Sequence, residues 1–488
     1  MRSEVNSIMM QGFEWHLSDD GNYYKNLAKD AKMLKESGID GIWIPPVFKG
    51  GGTNDVGYGI YDLYDLGEFD QNGTVRTKYG TLEELQAAIK ALHDNNIEVY
   101  VDVVLNHKGN GDFEETFMAV PVDPNDRNTE IGEARNIRAW TGFEFTGRDN
   151  KYSSFKWHFH HFSGVDYDSL TGENGVFKIV AMDGSKDWGD EVSGEKGNYD
   201  YLMNCDIDHG NPDVRQELFS WAEWFVQKID IDCFRFDALK HIDYGFINDL
   251  IDHLKAFVPE DFYYFGEYWI PDPDKSNHYL YKTDYDTDLF DVGLHYNFER
   301  ASKDGQNFDL RKIFDGSVVQ QHPQLAVTFV DNHDSQPGES LESFIDSWFK
   351  KIAYGIILLR RDGYPCIFYG DYFGIGGDNP IEGHKDMIDN LMYIRKNYAY
   401  GNEDSYMAEK DLIGWVRHGT DDHPGKLAVV ISTGDSKTLR MFVGKEQKGK
   451  EYFDLTGGNE NSIIINDEGY GDFQVGPGTL AAWGEKHE

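Results

Sequence analysis

The chain is short of cysteine and short of bases. Its 488 residues include three cysteines, Cys205, Cys233 and Cys366, far apart and with no CxxC pair. An odd, scattered set of this kind builds neither a disulfide framework nor a thiolate zinc cluster. Lys and Arg number 46 against 86 Asp and Glu, a formal net charge of −40. Tracking phosphates needs clustered bases, so nucleic acid is excluded as a partner, and so is docking on anionic membrane lipid. A membrane-length apolar run is also missing: the longest candidate, around 352–359, is closed by Arg360 and Arg361. The start, Met1-Arg2-Ser3-Glu4-Val5-Asn6-Ser7, runs straight into Ile8-Met9-Met10 without a secretory apolar core. The expectation is therefore a soluble cytoplasmic protein, although a removed leader with a replacement Met would read the same way. No internal repeat or low-complexity tract stands out.

What is present is material for large cores. The chain is 40% hydrophobic and 15% aromatic, which a disordered acidic chain is not. Its length fits roughly three domains. The acidic excess reads first as a solubility device and leaves a neutral or cationic partner open.

Short apolar runs alternate with helical patterns, the sign of β/α units around a parallel sheet. Strands are expected at 8–15, 41–47, 98–106, 231–237, 262–269, 289–295, 325–331 and 364–369. Between them, 24–37 places Leu27, Ala31 and Leu34 at helical spacing, and 81–95 does so with Leu82, Leu85, Ala88 and Leu92. Thr81 with Glu84 reads as a capping box, and Pro212 opens a further helix through Leu218, Trp221 and Phe225. Eight units specify a (β/α)8 TIM barrel. The long Gly-, Asp- and aromatic-rich stretch after the third strand reads as an inserted β-rich domain rather than a loop. Short strands at 414–417, 427–432, 440–443, 462–465 and 479–483 read as a C-terminal antiparallel β-sandwich domain. The expected division is 1–107 with 208–397 for the barrel, 108–207 for the insertion and 398–488 for the C-terminal domain.

Barrels place reactive residues where strands end, on the carboxyl face. Four strand ends are unusually polar. The first is Val101-Asp102-Val103-Val104-Leu105-Asn106-His107. An Asp in an apolar strand is costly unless hydrogen-bonded, and here a structural and a site role stay equally open. In Cys233-Phe234-Arg235-Phe236-Asp237-Ala238-Leu239-Lys240-His241, Arg235 and Asp237 project to one face of a strand. A neighbouring guanidinium keeps a carboxylate ionised, as a nucleophile requires, although a buried structural ion pair has the same pattern. In Phe262-Tyr263-Tyr264-Phe265-Gly266-Glu267-Tyr268-Trp269, desolvation raises the pKa of a Glu among aromatics, which suits a general acid. A Glu that has reached solvent at the strand end is the plainer alternative. The fourth run, Phe329-Val330-Asp331-Asn332-His333-Asp334-Ser335, is poor packing material and reads as site lining or a turn.

Together these place an ionised Asp, an environment-shifted Glu, a third Asp and two His around one barrel mouth. A nucleophilic carboxylate and a carboxylic acid roughly 5–5.5 Å apart are what retaining glycoside hydrolysis needs. A neutral sugar polymer also passes the charge filter, and Tyr58 and Trp269 offer faces for sugar rings, unless they simply pack in the core.

These four segments resemble the signature regions of the α-amylase family, in order and on matching strands. The resemblance extends through Met9-Met10-Gln11-Gly12-Phe13-Glu14-Trp15, Trp43-Ile44-Pro45-Pro46, the segment from Asp55-Val56-Gly57-Tyr58 to Gly67-Glu68-Phe69, Gly197-Asn198-Tyr199-Asp200-Tyr201-Leu202-Met203 and Tyr364-Pro365-Cys366-Ile367-Phe368-Tyr369-Gly370-Asp371. It covers nearly the whole chain and is closest to the bacterial liquefying-type enzymes. It implies Asp237 as nucleophile, Glu267 as acid/base and Asp334 as the third carboxylate. It further implies His107, Arg235 and His333 around the cleaved sugar, Lys240 and His241 on the leaving-group side, and Tyr58 as stacking platform, beside which Trp269 is expected to bind substrate. The implied reaction is internal cleavage of α-1,4-glucan (starch, glycogen or maltooligosaccharides) with retained configuration; a monomer is expected, although the sequence itself does not reveal the oligomeric state.

The resemblance also implies Ca²⁺ held by Asn106, Asp200, Asp206 and the backbone carbonyl of His241, an all-oxygen set. The junction Asn204-Cys205-Asp206-Ile207-Asp208-His209-Gly210 puts Gly210 where some liquefying enzymes have a carboxylate, and 186–190 aligns irregularly, which argues against a multi-ion cluster. Within the family, an enzyme favouring short maltooligosaccharides or transglycosylation would share every catalytic residue. Outside it, a sugar-binding protein that lost activity would not need the intact trio Asp237, Glu267 and Asp334.

Overall fold

The structure is a computed structural model describing residues 6–185 and 187–486. Residues 1–5 of the start and Lys186 of the irregular tract lie outside the described residues. Eight parallel strands close into a barrel: β1 (Met9–Gln11), β2 (Gly41–Ile44), β3 (Glu98–Val103), β4 (Cys233–Phe236), β5 (Tyr263–Gly266), β6 (Asp288–Phe290), β7 (Ala326–Phe329) and β8 (Tyr364–Phe368). Closure is made by β1, where Met9 lies opposite both Cys366 of β8 and Gly41 of β2.

Strand residues alternate between two cores, as the two-residue pleat requires. Met9, Trp43, Tyr100, Cys233, Phe265, Phe290, Val327 and Phe329 form one cluster that fills the barrel. Their neighbours Met10, Ile42, Val101, Phe234 and Phe236 join the much larger cluster that packs the outer helices. Burial on both faces is why these strands read as unbroken apolar runs. Helix Tyr23–Ser37 buries Tyr24, Leu27, Ala31 and Leu34 and stops at Gly38, whose φ of 107° suits only glycine. In helix Leu82–Asp94 the Thr81–Glu84 capping box forms, and Pro212 sits in the first turn of Pro212–Lys228.

The sixth strand departs from its expected range, 289–295. It ends at Phe290, and helix Val292–Asp304 begins at once, because the Asp291 side chain accepts a hydrogen bond from the Leu294 amide (3.0 Å) and caps it. Val292, Leu294 and His295 are thus the buried face of a helix, not a strand. The eighth strand likewise stops at Phe368, since Tyr369 opens a short helix.

Between β3 and β4 the chain builds an antiparallel sheet of seven strands running from His107–Lys108 to Cys205–Ile207, with no α-helix among its described residues. After helix Lys385–Tyr398 come two further antiparallel sheets, of six and two strands, sharing one core around Val416, Met441, Phe473 and Trp483. Three strands there, Glu403–Glu409, Glu451–Asp454 and Tyr470–Val475, have no counterpart in the sequence reading. Each mixes exposed polar residues into its length, so the apolar signal is thin. Among the described residues no helix is long and apolar enough to cross a membrane.

Candidate active site

Strands β3, β4, β5 and β7 deliver their carboxyl ends to one mouth, and Arg235 is the hub. Its side chain is fully buried, with the guanidinium 4.6 Å from the Trp43 ring centre. Nη1 donates to Asp102 (2.9 Å) and Asp237 (2.7 Å), and Nη2 donates to Glu267 (2.6 Å). One cation thereby ties together carboxylates from three strands. Asp102 is satisfied on its other oxygen by Trp43 Nε1 (3.0 Å) and the Tyr58 hydroxyl (2.9 Å). The residue whose role was open in the sequence therefore anchors both the hub and the aromatic platform.

Backbone bonds hold these strand exits in register. The Asp237 amide donates to the Val103 carbonyl (3.1 Å), the Glu267 amide to Phe236 (3.0 Å), and Leu239 to Glu267 (2.9 Å). Ala238, directly after Asp237, has a φ of 51°. A left-handed alanine is strained, and here it turns the chain sharply so that Asp237 stays at the mouth. On β7, the Asn332 side-chain oxygen accepts from the amides of Asp334 (3.0 Å) and Ser335 (2.8 Å), which fixes the turn carrying Asp334.

Three or more carboxyls around one guanidinium, out of water, do not all ionise at neutral pH. Burial raises Glu267, against the pull of Arg235, and the Asp237 charge raises it further. Asp334 is raised by burial, then by Glu267 and Asp237. Burial raises Asp102 to about 7, with Arg235 opposing. Burial thus pushes Glu267 towards its protonated form, the bias a general acid needs.

The cavity they line measures about 560 Å³ and brings together Asp237, Glu267, Asp334, Tyr58, His107, Lys240, His241, Trp269 and His333. Arg235 lies beneath its floor. His107 Nε2–H donates to the Tyr58 carbonyl (2.8 Å). The rings of His333, Tyr58 and Trp15 form a near-parallel cluster, His333 lying 5.3 Å from Tyr58 and 5.8 Å from Trp15, with Trp15 and Tyr58 5.8 Å apart. The Gln11 side-chain amide lies 2.9 Å from His333 Nδ1, and His333 Nε2 is buried 3.4 Å from Asp334 without a hydrogen-bond partner. Burial holds His333 well below its ordinary pKa, so an uncharged imidazole faces the cavity.

On another wall Lys240 Nζ meets Glu195 (3.1 Å) and the Trp269 carbonyl (3.3 Å), and His241 Nδ1 meets the Tyr199 carbonyl (2.6 Å). Trp269 is only 6% exposed and packs against His295 and Phe329, so it belongs to the barrel core as much as to the cavity. Gln11, Trp15, Tyr199 and Glu339 also border the site without a site role expected from the sequence, which leaves Asp102 open between a structural and a site role. Of these, Asp102 and Trp15 had a signal, an acid inside an apolar strand and an indole at a strand exit.

The expected calcium ligands lie where the inserted sheet joins the barrel. Asn106 Oδ1 is buried with no hydrogen-bond partner, and its Nδ2 faces Asp206 (3.4 Å). Asp206 also accepts from the Ser163 hydroxyl, and Asp200 from the Gly189 amide (2.9 Å). Burial raises both carboxyls, and each raises or is raised by the carboxyls beside it. Among the described residues no basic side chain pairs with either, and no group of three His, Cys, Asp or Glu is placed to hold an ion. An orphaned amide oxygen beside two buried carboxyls fits a hard cation that takes mixed side-chain and backbone oxygens.

Comparisons with known proteins agree on one family. The alpha amylase catalytic-domain family model matches residues 25–410. The chain is 48% identical to the glucan 1,4-alpha-maltohexaosidase of Bacillus sp. (strain 707), over 99% of this chain and 93% of that protein. It is 37% identical to the cytoplasmic alpha-amylase of Escherichia coli (strain K12), over 98% of each. An acarbose-complexed alpha-amylase structure from Geobacillus thermoleovorans superposes with a TM-score of 0.66 over all of both chains, at 19% identity. A polar barrel mouth organised by one guanidinium and a match over most of the chain lead to one conclusion: the protein is a member of the alpha-amylase family of glycoside hydrolases.

Proposed function

We propose that the protein is an endo-acting α-amylase that cleaves internal α-1,4 bonds of starch, glycogen or maltodextrins with retention of configuration. The observation that supports this most is the single Arg235 guanidinium spanning Asp237 and Glu267. Two carboxyls bridged by adjacent nitrogens favour the short separation of retaining enzymes over the wider gap that admits a water between them.

In this reading the glucan lies along the cavity with a sugar face on Tyr58. Glu267, pushed towards its protonated form by burial, gives its proton to the glycosidic oxygen as the bond to C1 breaks. Asp237 attacks C1 from the opposite face and forms a covalent glycosyl-enzyme. Glu267, now ionised, takes a proton from a water that attacks C1 and frees Asp237. Two inversions restore the starting configuration. Asp334, His107 and His333 bind hydroxyls of the cleaved sugar, and charge developing on the ring is met by preorganised groups rather than by water. Lys240, His241 and Trp269 hold the leaving segment.

The printed name of the Bacillus sp. (strain 707) relative favours a second reading, in which maltohexaose-sized products dominate. A time course on amylose separates the two. Long fragments appear first under internal cleavage, whereas short oligosaccharides alone from the start would contradict it.

The domain division 1–107 with 208–397, 108–207 and 398–488 accompanies this proposal, as do a monomeric state and a cytoplasmic location, the latter drawn from the name of the Escherichia coli relative. Asn106, Asp200, Asp206 and the His241 carbonyl would hold Ca²⁺, which when bound cross-links insertion and barrel by its charge. A ligand at a hundredfold excess over its Kd stabilises by about 2.7 kcal/mol. Exhaustive EDTA dialysis is therefore expected to lower the thermal unfolding midpoint, and Ca²⁺ to restore it. An unchanged midpoint would remove calcium from the account.

A further inference from the structure

Lys350 stands in the first turn of helix Ser347–Leu359 with 1% of its surface exposed. Lysines are almost never buried to this degree unless paired. Its ammonium pairs with Asp331 and with Asp371 (2.6 Å) and lies 3.8 Å from the Phe344 ring centre. None of these groups lines the catalytic cavity. A continuous set of hydrogen bonds nevertheless leads from Lys350 to it. Asp331 Oδ1 accepts from the Ser335 hydroxyl (2.8 Å), and Asp331 Oδ2 also accepts from the Ile345 amide (3.3 Å). Ser335 Oγ accepts from the Asn332 amide (3.0 Å), and the Asn332 side chain holds the amide of Asp334. On the far side Asp371 accepts from the Tyr354 hydroxyl (2.7 Å), which in turn accepts from the Phe368 amide at the end of β8 (3.3 Å).

We propose that Lys350 is a positioning residue for the reaction, fixing Asp334 from outside the cavity through Asp331, Ser335 and Asn332. The proposal rests on the reading of Asp334 as the third carboxylate. A buried ion pair is a poor way to gain stability, because desolvation offsets the attraction and an apolar side chain of the same volume does as well. What an ammonium adds is direction: it holds two carboxylates at set places, one of them anchoring the β7 turn. Without that charge, Asp331 and Asp371 face each other uncompensated, and burial, which already raises Asp331 to about 7, drives it to protonate or move. The turn then loses its anchor. Small displacements of a reacting group by a distant change cost on the order of 100-fold.

The test is kinetic, with maltoheptaose as substrate and rates expressed per folded enzyme. Lys350→Met is expected to lower kcat by about 10- to 100-fold with KM within about twofold, and Lys350→Arg to recover part of the loss. Ser335→Ala, which breaks the relay but leaves the ion pairs, is expected to act in the same direction and keeps the proposal testable should Lys350→Met not fold. The deciding measurement is the Lys350→Met/Asp334→Asn double variant, whose kcat should equal that of Asp334→Asn alone, because groups acting as one unit are not additive. Losses that multiply, or wild-type kcat in Lys350→Met or Ser335→Ala, would overturn the positioning role while leaving the reading of Asp334 intact. Wild-type kcat in Asp334→Asn would overturn both.

Discussion

Asp237→Asn is expected to lower kcat by roughly 10⁴-fold or more, the scale on which removal of a nucleophile acts. An amide of the same shape keeps the hydrogen bond from Arg235 Nη1, which reaches Asp237 at 2.7 Å, so the cavity should survive the change. What is lost is the electron pair that forms the bond to C1. Burial of the Arg235 charge makes the variant less innocent than a surface change, because one of three carboxylate partners disappears from a fully buried guanidinium. Circular dichroism and thermal unfolding alongside the kinetics separate lost chemistry from lost fold. Substrate binding measured by calorimetry should stay within an order of magnitude of the wild type.

Glu267→Gln is expected to lower kcat by roughly 10²–10⁴-fold, the contribution of a well-placed general acid. Its signature differs from that of Asp237→Asn. A substrate whose leaving group departs without a proton, such as an α-maltosyl fluoride, should still glycosylate Asp237 in the Gln variant, so a covalent adduct should accumulate and be seen by mass. The pH profile gives a second check. The acid works only while protonated, so wild-type kcat/KM falls as pH rises through the Glu267 pKa, which burial places above the ordinary range of a glutamate. That alkaline limb should vanish in Glu267→Gln. Equal turnover of the variant on maltoheptaose and on the fluoride would contradict its role as acid.

How much of this was legible beforehand depends on the reach of each interaction. Strands such as β3 and β4, buried on both faces and ending in polar residues, announce themselves because the change from apolar to polar is local. The start of helix Val292–Asp304 does not, because its first turn, Val292 to His295, is as apolar as a strand and only the Asp291 cap decides. Exposed strands such as Glu403–Glu409 lack the contrast altogether. At the site, the strand exits carrying Asp237, Glu267 and Asp334 are visible as polar runs, and the structure gathers them in one cavity. The hub is not visible. Arg235 was paired with Asp237 from two-residue spacing, but its bonds to Asp102 and Glu267 join residues 133 and 32 positions away, across neighbouring strands. The same holds for Lys350, an unremarked lysine in an apolar helix until β7 is placed beside it.

The central claim is that Asp237 and Glu267 act as nucleophile and acid across one bond. The most direct measurement is the anomeric form of the first products released from amylose, followed by proton NMR before mutarotation. Double displacement predicts that the new reducing ends appear as the α-anomer and drift to equilibrium with time. Release of the β-anomer would contradict the covalent intermediate on Asp237 and the mechanism built on it.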